Sequence, residues 1–575
     1  MILQALTRYY EDLAQQGKIA RPGWAKTKIN YALCIDESGK LEQVIPLLDN
    51  IGGKKPVPQK FDLPAPVKRT VGISPNFLWD NSAYLIGIDS KGNQERSRAC
   101  FEESKNLHHR LLDGIDVPEA KGIRNFYDKW DPSEASSNGA LKSEFDSVIS
   151  GGNLTFRVNG IYAFQVDAIA KAWQEYYESS DGLVVGQCLV TGEEDVIEPV
   201  HPSIKGVDGA QSSGAAIVSF NSPAFCSYGQ EQNYNAPIGK HAAFAYTSAL
   251  NYLLSDRENV QKIGDTTVVC WAEGAEKQYQ VLTAAALFGK DIEGLSEDDV
   301  RDAVRKLANG LPVPERELKP DRPFYILGLS PNSARISVRF FYKCSFGDLM
   351  KNVISHHERM RIVRPSKDPY ETIPIWAMLR ETVNNKSKEK NVNPVMAGAV
   401  VRSIITGGLY PASLLEQTMI RIRSERNINR GKAAIIKAYY LKNQNQDCPK
   451  EVLTVALNEN STNPAYTLGR LFAVYEAIQK AANHGNVINS TIKDKYFNSA
   501  SSTPAMIFPV LNNLCQKHLR KLSDSSRIWY EKQIISLSGL LGEEYPSRLT
   551  LPQQGAFYLG YYHQTQKRYE KKEDK

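Results

Sequence analysis

Three ionisable side chains in the sequence, His201, Asp208 and His241, are of the types that move protons in enzymes. An imidazole held by a carboxylate exchanges a proton at neutral pH, as hydrolysis of a phosphodiester requires. His201 and Asp208 acting together would therefore indicate a hydrolase or a nuclease. The alternative, which we favour, is a histidine whose ring nitrogens bind backbone groups in a turn.

Signatures of nucleophilic catalysis and of phosphate binding are incomplete. Ser212 and Ser213 in GAQSSG lack the clear strand, elbow and helix that expose a nucleophilic serine. The stretch NAPIGKHA contains Gly239 and Lys240, but it has neither the leading glycine nor the hydroxyl residue of a P-loop. We therefore expect no catalytic residue, and we expect the protein not to be an enzyme.

Soft metal ligands occur in the central region at Cys188, His201, Cys226 and His241. Their separations match no zinc-binding pattern. The histidine pairs at 108–109 and 356–357 are adjacent, so on a helix the two rings point in different directions and do not share one ion. We expect no metal and no cofactor.

Uncharged polar side chains are dense in loops that are rich in Gly and Ser. They are Asn76, Asn81, Gln211, Asn221, Gln230, Gln232, Asn233 and Asn235. Amides both donate and accept hydrogen bonds, so they suit base edges and sugar–phosphate backbones, and small residues let the main chain approach closely. Each amide alone is as well explained by a turn or a cap. Their density within residues 206–237 indicates either a contact surface or a polar network that braces the domain.

The composition is that of an ordinary globular protein. Of 575 residues, 42% are hydrophobic and 23% are charged, which suits roughly two to four domains with cores of their own. The sequence holds no apolar run long enough to span a membrane, and its start lacks the features of a secretory signal. The eight cysteines never form a CxxC pair. These features predict a cytoplasmic protein with reduced thiols.

Positive charge is concentrated in one region of the chain. Residues 351–442 carry 17 Lys and Arg against 7 Asp and Glu, whereas the net charge of the whole chain is only +6. A local excess of this size attracts polyanions more strongly than the total charge suggests.

The alternation of strand and helix signals predicts an α+β protein, mixed α/β in its N-terminal and central parts and all-helical in a C-terminal bundle. The N-terminal signals are strands at NYALCID, VIPLL and YLIGI, a helix at 95–112 and a surface connection at 113–150. The central signals are strands at LTFRV, GLVVGQCLV, AAIVSF, TTVVCWAE, FYILGLS and ARISVRFF, with helices at 241–254 and 279–289. In ARISVRFF, Ile336, Val338 and Phe340 alternate with polar residues, which predicts a half-buried strand.

Beyond residue 346 the signals are helical, with a basic helix at 417–442 and a bundle that begins near Pro464. Four parts are predicted: 1–150, an N-terminal α+β domain; 151–345, a central α+β domain with the GAQSSG loop; 346–450, a basic and mainly helical connection; and 451–575, the C-terminal helical bundle.

A long central stretch, CLVTGEEDVIEPVHPSIKGVDGAQSSGAAIVSFNSPAFCSYGQEQNYNAPIGKHAAFAYTSALNYLL, resembles the signature block of one family. That family is the large subunit (Cas8-type) of the subtype I-C CRISPR surveillance complex, Cascade. Further pieces agree in the expected order: MILQALTRYY, GISPNFLWDNSAYLIG, YILGLSPNSARISVRFF and NPAYTLGRLFAVYEAIQ. The resemblance covers essentially the whole chain.

The resemblance implies a non-catalytic protein of antiviral defence that assembles with CRISPR RNA, Cas5-type and Cas7-type subunits and a small subunit. It implies that the large subunit recognises the PAM, the short motif beside the target in double-stranded DNA. It further implies that the subunit promotes duplex opening and R-loop formation and then receives the helicase–nuclease. The family's small subunit arises from an internal start. Met419 or a non-AUG codon near 450–460 would serve here, and the sequence leaves both open.

Three groups of residues are the candidate contacts of such a reader with DNA. In RNA-guided recognition the protein reads only the PAM and the backbone, because base pairing supplies sequence identity. In the first group, expected at the PAM, Asn76 and Asn81 would offer amides to base edges, Ser74 would allow close approach, and Lys68 and Arg69 would hold phosphates. The second group, expected at the duplex fork, is Gln211, Ser212 and Ser213 of the GAQSSG loop. The third, expected along the displaced strand, is Arg421, Arg423, Arg426, Arg430, Lys432 and Lys437.

Each group also has a simpler explanation. Asn76 and Asn81 would shape turns beside the core residues 77–79, and the GAQSSG loop would brace neighbouring subunits instead of opening the duplex fork. The basic helices would present an ordinary solvated face. A purely architectural subunit is a third class of function, in which PAM mutations act through other chains.

Overall fold

The computed structural model describes residues 1–49, 56–67, 69, 72–179, 183–257, 260–291, 293–294, 296–368, 370–384, 386–388, 390–483 and 490–569. The chain divides into two compact units. Unit 1 comprises Met1–Ile204 and Val218–Tyr252, and unit 2 comprises Lys205–Ile217 and Leu253–Lys575. The segment 205–217, which contains GAQSSG, therefore belongs to unit 2 although the chain on both sides of it belongs to unit 1.

Unit 1 is built from short strands and amphipathic helices. They are α1 (Ile2–Gln15), β1 (Trp24–Ile29), β2 (Tyr31–Ile35), β3 (Leu41–Pro46), β4 (Leu48–Asp49), β5 (Val57–Pro64), β6 (Trp79–Asp80), α2 (Ser82–Leu85), α3 (Gln94–Leu112), α4 (Pro118–Lys129), α5 (Phe145–Ser150), β7 (Leu154–Val158), β8 (Ile161–Tyr162), α6 (Asp167–Glu178), β9 (Val185–Gln187), β10 (Glu194–Val196) and α7 (Lys240–Ser255). The last helix continues into unit 2.

The central sheet of unit 1 has the strand order β3-β2-β7-β6, with β8 paired to β7. Strands β2 and β7 run parallel, from the Tyr31–Leu154 pair to the Ile35–Val158 pair. Strands β1, β5 and β4 form a second, antiparallel sheet. Helices α3 and α4 pack together and contribute buried aromatic rings to the core beside Phe156.

The sequence predictions for unit 1 are confirmed in part. The strands at NYALCID, VIPLL and LTFRV are β2, β3 and β7. The strand predicted at YLIGI is wrong, because the Asn81 side chain accepts a hydrogen bond from the Ala83 N–H and caps helix α2 there. The irregular connection predicted at 113–150 contains α4 and α5, and α4 buries Phe126 completely.

Unit 2 begins with an antiparallel sheet and continues as helices. Its elements are β11 (Gln261–Ile263), β12 (Thr266–Ala272), α8 (Lys277–Phe288), α9 (Glu297–Ala308), β13 (Pro323–Asn332), β14 (Arg335–Ser345), α10 (Phe346–Met360), α11 (Ile375–Arg380), α12 (Pro394–Thr406), α13 (Ala412–Glu425), α14 (Arg430–Asn443), α15 (Pro464–Ala482), α16 (Ile492–Ser502), α17 (Pro504–Leu519), α18 (Asp524–Ser538) and α19 (Leu551–Lys567).

The sheet of unit 2 has the order β11-β12-β13-β14, and every residue of β12 is buried. Strand β14 confirms the strand predicted at ARISVRFF, but its alternation is interrupted. The register of β13 and β14 shifts between Gly328 and Leu329, which marks a bulge. Ile336 and Phe340 are buried as predicted, whereas Val338 is 40% exposed.

The helices after residue 346 surround one hydrophobic core. Helices α15 and α19 form its centre and cross closely at two glycines: a Cβ added to Gly469 would lie 2.0 Å from the Phe557 carbonyl oxygen, and one added to Gly560 would lie 2.0 Å from the Tyr466 carbonyl oxygen. Helix α15 begins at Pro464, as predicted. An α+β fold with a helical C-terminal part is confirmed.

The four-part division predicted from the sequence stays a prediction. The boundary at 150 lies inside unit 1, where β7 pairs with β2. All eight cysteines are free thiols. Within the described residues, no helix combines the length and apolarity needed to cross a bilayer.

Candidate nucleic-acid interface

The segment that follows β5 in unit 1 is organised around the carboxylate of Asp80. This side chain is buried and accepts hydrogen bonds from the Asn76 N–H at 2.9 Å and the Asn81 N–H at 2.8 Å. It also forms an ion pair with the guanidinium of Arg69. Burial raises the pKa of Asp80, while Arg69 and the two N–H groups act in the opposite direction. One carboxylate therefore joins three of the residues predicted to lie at the PAM.

Arg69 is fixed by three contacts and still reaches solvent. Besides its ion pair with Asp80, it donates a hydrogen bond to the Ser74 carbonyl at 2.7 Å. The carbon at the centre of its guanidinium lies 4.1 Å from the centroid of the Tyr84 ring. The side chain is 31% exposed. Arg69 is thus an oriented guanidinium with an accessible edge, which suits recognition of a phosphate or a guanine.

Both predicted amides use their side-chain oxygen inside the protein. Asn76 is 4% exposed, and its Oδ1 accepts a hydrogen bond from the Val67 N–H at 2.9 Å. Asn81 is half-buried, and its Oδ1 accepts from the Ala83 N–H at 3.0 Å. Asn76 therefore stabilises the loop from within, and its burial argues against direct contact with a base. Lys68, predicted beside Arg69, lies outside the described residues.

His108, which the sequence places only within the helix predicted at 95–112, holds the middle of this segment. Leu78 has the left-handed backbone angle φ of 66° and donates its N–H to Nε2 of His108 at 2.9 Å. Because Nε2 accepts, Nδ1 carries the proton and donates to the Ser104 carbonyl at 2.7 Å. Burial lowers the pKa of His108 to about 4, so this ring is neutral. The neighbouring His109 instead contacts Asp128.

The GAQSSG loop is attached to unit 2 at both ends. The Asp208 N–H donates to Oγ1 of Thr267 on β12 at 3.0 Å, and Ala216 pairs with Arg335 at the start of β14. The strand predicted at AAIVSF is therefore wrong, because the stretch has isolated β-bridges at Ala215 and Ala216 and no continuous strand. The loop has fixed ends and projects a short tip.

The tip of the loop is a tight turn with exposed side chains. Gln211, Ser212 and Ser213 are all exposed, and the Gly214 N–H donates to the Gln211 carbonyl at 2.9 Å. Gly214 has φ of 104°, a conformation that favours glycine. The predicted contact residues of this loop are therefore brought together on an accessible surface.

The candidate acid–base pair, His201 and Asp208, is not a dyad. Nδ1 of the buried His201 hydrogen-bonds to the Tyr246 hydroxyl at 2.7 Å. The exposed carboxylate of Asp208 pairs with the Lys262 ammonium at 2.5 Å. The two residues also belong to different units. Each has a structural partner, so the geometry gives no support to a hydrolase or nuclease at these residues.

The basic helix predicted at 417–442 is two helices, α13 and α14, and half of its predicted contacts are buried. Arg430, Lys432 and Lys437 are 7%, 3% and 2% exposed. Lys432 pairs with Glu425 at 2.5 Å, and Lys437 donates to the Arg359 carbonyl at 3.0 Å. Burial and these internal acceptors argue against contact of Arg430, Lys432 and Lys437 with the displaced strand, which stays a prediction. Burial lowers the pKa of Lys437 to about 8.

The remaining three arginines lie in the second half of α13 and at its C-terminal end, before α14 begins. Arg423 and Arg426 are exposed, and Arg421 is half-buried. Arg423 donates to Oε1 of Gln554 at 2.6 Å, which orients it at the surface. Arg426 has φ of 50° and ends α13. A reduced cationic surface, Arg421, Arg423 and Arg426, therefore remains as the predicted contact with the displaced strand.

A comparison with protein families assigns the chain. The family model for the CRISPR-associated protein Cas_Csd1 matches residues 6–569, nearly the whole length. The chain belongs to this family. Csd1 is the large subunit of type I-C Cascade, so the resemblance found in the sequence is confirmed. Among curated proteins, none matches the chain.

Because the chain belongs to this family, it is a CRISPR-associated Cascade component, and all three candidate surfaces are parts of that component. Across the residues that the structure describes, no group of three or more His, Cys, Asp and Glu side chains is placed to hold a metal ion. Sequence reasoning missed Asp80, Tyr84 and His108, which position the candidate contacts. The signal available for Asp80 was its place beside Asn81 in LWDN, but its burial depends on contacts that form only in the folded chain.

Proposed function

We propose that this large subunit recognises the PAM, promotes duplex opening and R-loop formation, and recruits the helicase–nuclease, without catalysing a reaction itself. The protein acts within a ribonucleoprotein that contains CRISPR RNA, Cas5-type and Cas7-type subunits and a small subunit. Its ligand is double-stranded target DNA, and it works in the cytoplasm. Family membership supports the setting, and the geometry of the Arg69 segment supports the reading role.

The observation that carries the proposal is the orientation of Arg69. A guanidinium that reads DNA must be held in one direction before the ligand arrives, because ordering a flexible side chain costs affinity. Arg69 is held by Asp80, by the Ser74 carbonyl and by the ring of Tyr84, yet remains 31% exposed. Arginine is the residue most often used for specific contact with guanine.

The loop tip at 211–213 supplies the second contact. Its ends are tied to β12 and β14, so the exposed side chains are carried on a fixed base. Uncharged polar groups on such a projection suit insertion at a duplex fork, where they replace hydrogen bonds lost by separating bases. This supports a role in duplex opening that is separate from PAM recognition in unit 1.

The test compares complexes assembled on CRISPR RNA, offered duplexes with and without the PAM. The double variant Arg69→Gln/Asp80→Asn removes the guanidinium without leaving a buried, unpaired carboxylate. We expect the preference for the PAM duplex to fall about tenfold, since one specific arginine–guanine contact contributes about 1–3 kcal/mol. Binding to the duplex without the PAM should change little.

The matched control is Arg110→Gln. Arg110 is exposed in unit 1, lies 5.1 Å from the centroid of the Tyr176 ring and has the same side-chain chemistry. Its substitution should leave the PAM preference intact. An unchanged PAM preference in the double variant, in a complex that still assembles, would refute the role of Arg69.

A further inference from the structure

Unit 2 contains a cavity of 510 Å³ that shares only Arg430 with the candidate contacts described above. It is formed by the end of α8, by α9, by the last turns of α10 and by the segments 361–364 and 371–373. The segment 361–364 is fixed because the Val363 N–H donates to the Val455 carbonyl at 2.7 Å, and the Val363 carbonyl accepts from the Tyr562 hydroxyl at 2.7 Å. The cavity therefore has a rigid wall.

One part of the cavity wall is apolar. Val304, Met360, Ile362 and Ile373 line it, and each of these side chains is less than a tenth exposed. The partly buried Val300 and Ile354 extend the same surface. Buried aliphatic side chains of this kind favour a flat, apolar ligand group over water.

The remainder of the lining carries charges of both signs. The positive residues are Lys290, Arg301, Arg305, Arg361, Arg364 and Arg430, and the negative ones are Asp291, Glu297, Glu358 and Glu371. Two of these carboxylates pair with arginines of the lining, Glu371 with Arg301 and Glu358 with Arg361. Arg301 and Arg430 also pair with Asp298 and Asp368, which lie outside the lining. Within the described residues Arg305 and Arg364 form no ion pair, so these two exposed guanidinium groups are the ones available to an anion.

Arg430 forms a fixed part of the cavity wall. Its Nη1 and Nη2 donate to the carbonyls of Tyr370 and Glu371 at 2.5 and 2.6 Å, which fixes the guanidinium. The Nε–H of the same side chain is buried and meets no acceptor among the described residues. Solvent does not reach this Nε–H, so it is shielded from the cavity, and the charge of Arg430 is paired with Asp368 at 3.2 Å.

His357 adds a neutral polar group to the same lining. Burial lowers the pKa of this imidazole to about 4, so at neutral pH the ring can donate one hydrogen bond and accept another. A neutral ring of this kind matches the mixed donors and acceptors on the edge of a nucleobase.

We propose that this cavity binds a single nucleoside phosphate, with the base against the apolar wall and the phosphate at the arginines. The ligand is either a free nucleotide or one unpaired nucleotide of a single strand, which share this chemistry. A volume of 510 Å³ lies in the range of small-molecule sites and is too small for a duplex. The choice of a nucleotide over other anions of this size rests on the proposed function.

The test is calorimetric titration of the full-length chain with thymidine monophosphate, thymidine, inorganic phosphate and a short oligothymidylate. The variant Arg305→Gln/Arg364→Gln removes two exposed cations of the lining and leaves the core intact. We expect the monophosphate to bind about tenfold more weakly to this variant, because charge-assisted hydrogen bonds are lost. The control Arg520→Gln/Arg548→Gln removes two exposed arginines outside the lining and should leave its binding unchanged.

Competition experiments identify the source of the nucleotide. If oligothymidylate displaces the monophosphate, the ligand is a nucleotide within a single strand; if it does not, the ligand is free. The proposal is overturned if the monophosphate does not bind, if the cavity variant binds it like the wild type, or if inorganic phosphate competes equally well. Such a failure would leave the PAM preference of the assembled complex unaffected, so it is distinguishable from failure of the proposed function.

Discussion

Asp80 receives hydrogen bonds from two backbone N–H groups and an ion pair from Arg69, and all of these contacts shape the segment that presents Arg69. A buried carboxylate is costly unless donors surround it, so the segment has one stable arrangement and loses it when a donor is removed. Arg69 and Asp80 should therefore be substituted together in one variant. A single Asp80→Ala change would leave Arg69 without its partner and confuse loss of folding with loss of recognition.

The histidine that holds Leu78 makes unit 1 sensitive to acid. The pKa of His108 is lowered by burial to about 4, whereas an unfolded histidine titrates near 6.5. Between these two values the unfolded chain binds the proton and the folded chain does not, so stability falls as the pH is lowered from about 6.5 towards 4. For His108 alone the expected loss on going from pH 7 to pH 5 is about 2 kcal/mol in the free energy of unfolding.

Chemical denaturation at pH 7 and pH 5 measures this effect as a difference between the two conditions. His108→Gln, which keeps an oxygen acceptor for Leu78, should lose less stability than the wild type on acidification. His109→Gln, at the half-buried neighbour that contacts Asp128, should behave like the wild type. Equal acid sensitivity in all three proteins would show that His108 does not couple this segment to pH.

The sequence predicts which residues gather in this segment but not what each one does. Asn76 and Asn81 have the same side-chain chemistry and lie five positions apart, yet Asn76 is buried and Asn81 is half-buried. The difference depends on the Val67 N–H, which chain folding places beside Asn76. Lys432 and Lys437 show the same limit, because their charge predicts exposure and only the packing of α14 reveals their buried acceptors.

Strands with a long apolar run are predicted correctly from the sequence. Elements whose conformation depends on a single cap or a single bulge are not. The buried strands β2, β7 and β12 have apolar runs that tertiary contacts do not override. Helix α2 was predicted as a strand because YLIGI is apolar, while a single cap at Asn81 decides its conformation. The bulge beside Gly328 likewise leaves Val338 exposed where the alternating pattern predicts burial, and the sequence of β14 does not indicate the bulge.

The crossing of α15 and α19 should depend on its glycines. In Gly469→Ala the added methyl carbon would lie 2.0 Å from the Phe557 carbonyl oxygen, so the helices must separate. We expect a loss of about 1–3 kcal/mol or more in the free energy of unfolding. Gly398→Ala is the control, since nothing lies within 4 Å of its added carbon on α12, and it should be neutral or slightly stabilising. Thermal unfolding of both variants measures the difference; equal stability would show that the crossing relaxes freely.

The tip of the GAQSSG loop offers a test that separates opening of the duplex from bracing of the assembly. The triple variant Gln211→Ala/Ser212→Ala/Ser213→Ala changes exposed side chains, so stability should change by less than about 0.5 kcal/mol. If the tip enters the duplex fork, assembled complexes should bind the PAM duplex normally but form the R-loop more slowly. Fluorescence of 2-aminopurine in the target reports strand separation directly. Loss of assembly with this variant would instead identify the loop as a brace, and a normal opening rate would exclude the fork.

For the molecule as a whole, the sequence reveals the family and the α+β class. It does not reveal that segment 205–217 belongs to unit 2. Its attachment to unit 2 depends on the side-chain hydroxyl of Thr267 and the backbone of Arg335, which lie far along the chain. The charge excess in residues 351–442 was also visible in the sequence. In the folded chain only part of this positive charge reaches solvent. Arg430, Lys432 and Lys437 are buried in unit 2, whereas Arg423 and Arg426 are exposed.

The salt dependence of DNA binding tests whether the reduced cationic surface, Arg421, Arg423 and Arg426, contacts the displaced strand. Each phosphate neutralised on a single strand contributes about 0.7 to the slope of log affinity against log salt concentration. Replacing Arg421, Arg423 and Arg426 by Gln in the assembled complex should therefore reduce the magnitude of the slope by about 2, if all three contact the displaced strand. The control variant Lys142→Gln/Arg520→Gln/Arg548→Gln removes the same charge from exposed positions elsewhere and should leave the slope unchanged. Equal slopes in the two variants would mean that charge acts only at long range, and the displaced strand would then have no contact with α13.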